Sequence, residues 1–261
     1  YLYAVRVLQG VSYTMYFVSA ATLVADMAPA ARLGQALGWF GSAALMMNAI
    51  ATLIAERVAR DFGWHAVFAG AAVTGFVGAG LMLFLREPRH EAKPRLAHPA
   101  PRVEAAGARL AITWAAIAGG AAFGAMFTFT QPLALSLGDT NMSPLFAGYT
   151  TMALVVRLLF GNLADRFGRA RVSGAALALY SLVVAITAGL GHGWLGVVGL
   201  GFGVAHGVFY PAINALALEG VPREERGTMG ARFNAAFNGG VFIVTFCFGQ
   251  IAQAYGYRVV F

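Results

Sequence analysis

The sequence predicts an all-α polytopic membrane protein, and composition, apolar runs and the placement of charge predict this class. Of the 261 residues, 59% are hydrophobic and 11% are charged, with a mean hydropathy of +0.69. Soluble domains carry roughly 25% charged residues, and a helix needs about 20 apolar residues to cross a bilayer. The net charge of +7 does not indicate a nucleic-acid partner, because the cations lie in short breaks between apolar runs. No alternation of apolar and polar residues suggests a barrel.

Eight apolar runs predict membrane-spanning helices, and a ninth begins near Tyr257. Pro, Gly and charged residues separate them, as expected for loops. The predicted spans are Tyr3 to Ala25, Leu33 to Ala55, Ala66 to Leu85, Leu110 to Leu135, Leu145 to Leu163, Val172 to Leu190, Trp194 to Leu218 and Thr228 to Ala252.

The distribution of Lys and Arg predicts the topology. If the loop containing Arg166, Arg169 and Arg171 is cytoplasmic, the loops assigned to the inside hold twelve cations and those outside hold three. Short loops rich in Lys and Arg stay on the cytoplasmic side, so this bias supports the assignment. The remaining three cations, Arg6, Arg157 and Arg232, fall within predicted spans.

The segment Gly161–Arg171, which we call the hinge segment, connects two of these spans. Its arginines suit a cytoplasmic loop, but Asp165 adds nothing to such a topological signal. Gly161 and Gly168 allow tight turns and close approach of helices. The pattern Gly-x-x-x-Asp-Arg-x-Gly-Arg-x-Arg resembles the cytoplasmic loop signature of the major facilitator superfamily of transporters, with one departure at Ala170.

A second segment carries the same resemblance. Residues 2–10, which include Arg6, Gln9 and Gly10, resemble the signature on the fourth helix of that superfamily. The Gly-Pro-rich antiporter signature of the fifth helix is missing, because the chain there reads Leu45-Met-Met-Asn-Ala49. The resemblance implies two pseudo-symmetric helical bundles, and drug/proton antiport is not specifically indicated.

An internal repeat at an offset of 193 residues supports two bundles. It pairs Asp26 with Glu219 and Gly34 with Gly227, and aligns residues 62–68 with 255–261. We therefore expect residues 1–85 to be the last three helices of an amino-terminal bundle, 86–109 a cytoplasmic linker, and 110–261 a carboxy-terminal bundle. On this numbering the chain is a fragment truncated at both ends, covering the fourth to eleventh helices.

Arg6 and Gln9 are the coupling candidates. In many proton-coupled relatives the arginine that matches Arg6 tunes a nearby carboxylate, whereas the simpler alternative is that Arg6 snorkels to the interface. Every one of the eleven acids lies at a span end or in a loop. A proton carrier would therefore be His206 or a carboxylate outside this sequence.

A polar stripe on the tenth helix predicts a substrate cavity. His206, Tyr210 and Asn214 are spaced four residues apart on a helix that lines the cavity in this superfamily. The alternative is hydrogen bonding between helices. The analogous candidates are Tyr13, Tyr16, Thr128 and Gln131, and the sequence Gln131-Pro132 predicts a helix break.

The resemblance also implies a cytoplasmic gate, with Asp165 expected against the amino end of the eleventh helix near Gly227. Arg166 or Arg169 would pair with Glu219. The alternative is that these charges only set topology. The candidate gate residues are Gly161, Asp165, Arg166, Gly168, Arg169 and Glu219.

The function expected is secondary active transport of a small solute by alternating access, coupled to protons and in the direction of efflux. Alternatives are an uptake symporter or facilitator of the same fold, or a membrane sensor or scaffold. An enzyme is not expected, because no catalytic constellation is present. No cofactor or metal site is expected, since the one cysteine, Cys247, lies in an apolar run. We expect a monomer in the plasma membrane.

Overall fold

The computed structural model describes residues 2–84 and 103–261. These residues form helices joined by short turns, with no strand among them. The α-helices are α1 (Leu2–Met27), α2 (Leu33–Phe62), α3 (Trp64–Met82), α4 (Val103–Ser136), α5 (Ser143–Phe160), α6 (Leu163–Phe167), α7 (Arg169–Ala188), α8 (Leu195–Ala217), α9 (Arg223–Ile243) and α10 (Gly249–Tyr255). Each predicted span coincides with a helix, although Leu85 lies outside the described residues.

Seven helical stretches in this described part are long and apolar enough to cross a membrane. They comprise α1, α3, α4, α5, α7, α8 and the continuous stretch Glu224–Tyr255, in which a π-helical segment (Val244–Phe248) joins α9 to α10. The predicted span Leu33 to Ala55 is helical within α2, and some of its side chains lie outside the described set.

Three details differ from the sequence prediction. The helix α4 begins at Val103, inside the segment predicted to be linker, because residues 104–106 are good helix formers. Most of that linker, residues 86–102, lies outside the described residues. Pro132 does not break α4, which continues to Ser136, since one missing N–H bond can bend a helix without ending it. The hinge segment contains a one-turn helix, α6.

Two parts of the chain are compact by themselves, and the first is Tyr1–Leu45 together with Glu104–Phe261. Its most buried helix is α8, which packs against α5 and α7. Glycines allow the approach to α5: a Cβ on Gly203 would lie 2.9 Å from Met152 Cβ, and one on Gly207 would lie 3.0 Å from Ala153 Cα. The absence of side chains at these two glycines therefore lets α8 pack closely against α5.

The second part is Met46–Val103. It contains the end of α2 and all of α3, separated by Gly63, whose positive φ of 80° suits a residue without a Cβ. Every residue of α3 is at least partly exposed, which is compatible with a helix whose apolar surface faces lipid.

Candidate functional site

The hinge segment folds as two turns around the short helix α6. Gly168 separates α6 from α7 with a φ of +94°, a conformation that favours glycine. Its N–H donates to the carbonyl of Ala164 at 3.1 Å. The turn places Asp165 and Arg169 on adjacent helices with their side chains in contact.

Asp165 binds the amino end of α2. Its Oδ1 accepts from the N–H of Gly34 at 3.3 Å, and its Oδ2 accepts from the N–H of Gln35 at 3.1 Å. Its side chain is only 6% exposed. The first N–H groups of a helix have no partner within the helix and carry its positive dipole end, so a carboxylate stabilises them.

This contact corrects the expected partner of Asp165. A carboxylate against a helix amino terminus was predicted, but the helix is α2 rather than α9, which contains Gly227. A Cβ on Gly227 would meet nothing within 4 Å, whereas one on Gly34 would lie 3.0 Å from Asp165 Oδ2. The internal repeat explains why the wrong helix was predicted, because it makes Gly34 the counterpart of Gly227. No local sequence feature indicates which of the two helix amino termini Asp165 contacts.

Arg169 extends the contact to the turn that follows α8. Its Nε and Nη2 donate to Asp165 Oδ1 at 3.2 and 3.0 Å, and its Nη1 lies 3.6 Å from Glu219 Oε2. Of the two arginines expected to approach Glu219, it is therefore Arg169 that does so. Arg166 instead donates to the side-chain carbonyl of Asn162, at 3.2 Å from Nε, with the amide oriented to accept.

A second polar contact joins α1 to α9. Arg226 Nη1 donates to Asp26 Oδ1 at 3.0 Å and to the carbonyl of Ala25 at 2.9 Å. A cavity of about 200 Å³ lies between the two contacts, lined among others by Arg169, Glu219 and Arg226.

Three glycines on one face of α2 continue the contact beyond Asp165. Gly34 lies against Asp165, Gly38 lies near Gly161 and Pro211, and a Cβ on Gly41 would lie 2.8 Å from Nη1 of Arg157. Because the spacings are four and three residues, these glycines share one helix face. The absence of side chains lets α2 approach α5, α6 and α8 closely.

His206 lies in an aromatic cluster inside the same part of the chain. Its Nδ1 is 2.9 Å from the hydroxyl of Tyr149, a hydrogen bond whose donor depends on the tautomer. The rings around it come from α4, α5, α7, α8 and α9, and they are Phe123, Tyr149, Tyr180, Phe202, Tyr210 and Phe237. Among the described residues, the buried hydroxyl of Tyr180 has no hydrogen-bond partner.

The other cavity candidates are more scattered. Tyr13 and Tyr16 are 62% and 58% exposed, and Asn214 is buried. Thr128 Oγ1 lies 3.3 Å from Oγ1 of Thr245 in the π-helical segment.

Gln131 and the two coupling candidates are exposed. Arg6 Nη1 donates to Gln9 Oε1 at 3.0 Å, so the pair is joined one helical turn apart on α1. No described residue of another helix hydrogen-bonds to them.

Sequence reasoning gave no role to Arg157. Its side chain is 3% exposed, within α5, and its Nε donates to the carbonyl of Gly207 at 3.4 Å. The sequence does contain an indication of this residue, because placing a charged side chain inside a membrane span is energetically costly and often marks a functional site. Arg157 also lies only one turn before the hinge segment, where a basic residue suits the predicted topology.

The comparison with known proteins agrees with this architecture. The family model of the Major Facilitator Superfamily matches residues 1–148 and residues 112–261. A protein of Streptomyces coelicolor described as a probable transporter is 31% identical over 188 residues, which cover 67% of this chain and 41% of that protein. The matched region thus spans less than half of this relative. With its all-α fold and several apolar helices, the chain is a multi-pass membrane protein and belongs to the Major Facilitator Superfamily.

Proposed function

We propose that this chain belongs to a secondary active transporter that moves a small solute by alternating access, with the hinge segment as its cytoplasmic latch. The observation that carries the proposal is the carboxylate of Asp165 on the amino end of α2. The loop and the helix lie in the two segments that the repeat assigns to different bundles. A contact that joins two moving bundles at one face is what a transporter must break to open that face.

The second contact supports the same interpretation. Arg226, in the first turn of α9, binds Asp26 of α1. In each of the two contacts, an acid of one predicted bundle therefore meets the amino-terminal region of a helix of the other. These contacts support a role for the charges beyond setting topology, because Asp165 accepts from backbone N–H groups of α2 and Asp26 accepts from Arg226 of α9.

The test is to replace Asp165 by Asn in the intact protein and to measure opening by cysteine labelling. Ala215 is fully buried between α1, α2 and α8, so Ala215→Cys reports separation of these helices. The exposed Cys247 is first changed to Ser. We expect labelling to become faster, by up to about tenfold if the latch contributes about 1.4 kcal/mol.

Asp139→Asn is the matched control. Asp139 also accepts from a backbone N–H, that of Gly193 at 3.2 Å, and lies 2.6 Å from His192. It precedes α5, whereas Asp165 follows it, so it is at the opposite end of the span. Equal labelling rates for wild type and Asp165→Asn would contradict the latch.

We propose further that the central solute site lies beside the aromatic cluster around His206. The contact between Tyr149 and His206 holds a titratable ring inside the helices, with the ring centroids of Tyr180 and Tyr210 at 6.0 and 5.6 Å from that of His206. This supports proton coupling through His206, with Arg6 and Gln9 as the second candidate site. Proteoliposomes test it: solute flux driven by a pH gradient should be lost in His206→Gln, while solute exchange without a gradient persists.

Efflux is the proposed direction, from general resemblance to the superfamily, and we place the protein in the plasma membrane as a monomer. Uptake by the same fold is the alternative, and the orientation of gradient-driven flux in vesicles decides between them. A sensor or scaffold would show labelling changes at Ala215→Cys but no flux against a gradient.

A further inference from the structure

The guanidinium of Arg157 is a buried positive charge without an opposite charge beside it. It is 3% exposed, and no carboxylate of the described residues lies within 4 Å. One of its five N–H groups donates, at 3.4 Å, to the carbonyl of Gly207. Its terminal nitrogens, Nη1 and Nη2, donate to no described residue, but neither is a fully enclosed polar atom, since the buried polar side-chain atoms without a partner are those of Thr130, Ser173 and Tyr180.

A charge in this state is costly, since burying an ion is tolerated when it is paired and hydrogen-bonded. A neutral side chain would fill the same space between Gly41 and Gly207 without that cost. The described residues therefore provide no negatively charged partner for the guanidinium of Arg157.

The space beside Arg157 is small in this conformation. A cavity of about 10 Å³ is lined by Arg157, Gly34, Gly161, Gly207 and Pro211, with other residues of the same helices. This is about the volume of one water molecule. An anion the size of a carboxylate group does not fit while α2 lies against α5.

The glycine face of α2 is the movable side of that space. Nη1 of Arg157 lies 2.8 Å from the position that a Cβ of Gly41 would take, and the same helix face continues to the Asp165 contact. On the proposed mechanism, α2 withdraws when the latch opens, and the guanidinium of Arg157 becomes accessible from the side of the hinge segment. Arg157 lies about 6 Å from Gly161 along the helix. The aromatic cluster begins two turns deeper on the same face of α5, at Tyr149.

We propose that Arg157 binds the carboxylate of an anionic solute that carries an apolar, aromatic-sized body, and that this binding and the docking of α2 exclude each other. This inference rests on the proposed transport function and adds the substrate class. Arginine suits the role because its planar N–H groups bind both oxygens of a carboxylate. The aromatic rings beyond it suit the apolar body.

The test uses benzoate and benzamide as probes, because they share a shape and differ in charge. Thermal stability of the intact protein in detergent is measured against each at constant ionic strength. We expect benzoate to raise the melting temperature of the wild type in a saturable way, and benzamide to have no such effect. Equal responses to the two probes would overturn the proposal, and an equal response to inorganic phosphate would overturn the requirement for an apolar body.

Arg157→Gln should weaken benzoate binding by about tenfold or more, the loss expected for a charge-assisted hydrogen bond. Arg157→Lys should keep part of the affinity, since it keeps the charge without the planar fork. A wild-type response in Arg157→Gln would overturn the proposal.

A variant that leaves Arg157 and its surroundings unchanged makes the test independent of the folding of Arg157 variants. Asp165→Asn disfavours docking of α2, so it should increase the apparent benzoate affinity by several-fold. An unchanged affinity in this variant, when its Ala215→Cys labelling is faster, would refute mutual exclusion. The proposed latch fails separately, if Asp165→Asn leaves labelling of Ala215→Cys unchanged.

Discussion

At the scale of single residues, burial decides which charges matter in the hinge segment. The side chains of Asp165 and Arg169 are 6% and 12% exposed, whereas that of Glu219 is 55% exposed. Exposed ion pairs contribute about 0–1 kcal/mol because water screens them. The contact of Asp165 with the N–H groups of α2 is sheltered from water, so we expect it to contribute the larger share of the stability of the proposed latch.

Glu219→Gln should therefore have a much smaller effect than Asp165→Asn. The distance of 3.6 Å between Arg169 and Glu219 is also longer than a direct hydrogen bond. In the Ala215→Cys labelling assay we expect less than about a twofold change for Glu219→Gln. A change as large as that of Asp165→Asn would show that the pair with Arg169 holds the latch instead.

The contact between Asp26 and Arg226 should behave as a coupled pair. Both side chains are mostly buried, at 11% and 18% exposed, and they are joined at 3.0 Å. A double-mutant cycle with Asp26→Asn and Arg226→Gln should give a coupling energy of about 0.5–3 kcal/mol in the labelling equilibrium. Additive effects of the two changes would mean that the pair does not act as a unit.

At the scale of helices, glycine determines how closely α8 approaches α5. The positions Gly199, Gly203 and Gly207 recur every four residues and so lie on one face. A Cβ on any of them would meet α5 at 3.0 Å or less. The contact therefore depends on the absence of side chains, as is common for helix pairs in membranes.

Gly203→Val should destabilise the protein, whereas Gly174→Val on α7 should not. A side chain at 203 would meet Met152 and Ala153, whereas one at Gly174 would meet nothing within 4 Å. Overpacking costs about 1–3 kcal/mol, so we expect a lower melting temperature in detergent for the first variant. Both changes put a β-branched residue in a helix, so the difference between their melting temperatures measures the effect of packing. Equal melting temperatures would show that α5 and α8 can separate without cost.

At the scale of the whole molecule, the placement of cations predicts which face of the membrane each loop occupies. The turn between α4 and α5 precedes the span α5, and the hinge segment follows it. Exposed positions are available in both, at Thr140 and Ala170. Since the cation-rich hinge segment should be cytoplasmic, the turn at Thr140 should be outside.

We test this topology with single cysteines in a Cys247→Ser background. A membrane-impermeant maleimide should label Thr140→Cys in intact cells, and should label Ala170→Cys only after the cells are permeabilised. The reverse pattern would invert the topology and place the latch on the outer face.

The sequence by itself determined the fold class, the helices and the family resemblance, because these depend on composition, apolar run length and a local loop pattern. It also predicted that Asp165 would bind a helix amino terminus. The tertiary structure decided that this helix is α2, since the repeat gives two equivalent ends and only packing distinguishes them. It also decided that Arg157 is buried against Gly41 with no opposite charge beside it among the described residues, which depends on residues more than a hundred positions apart in the chain.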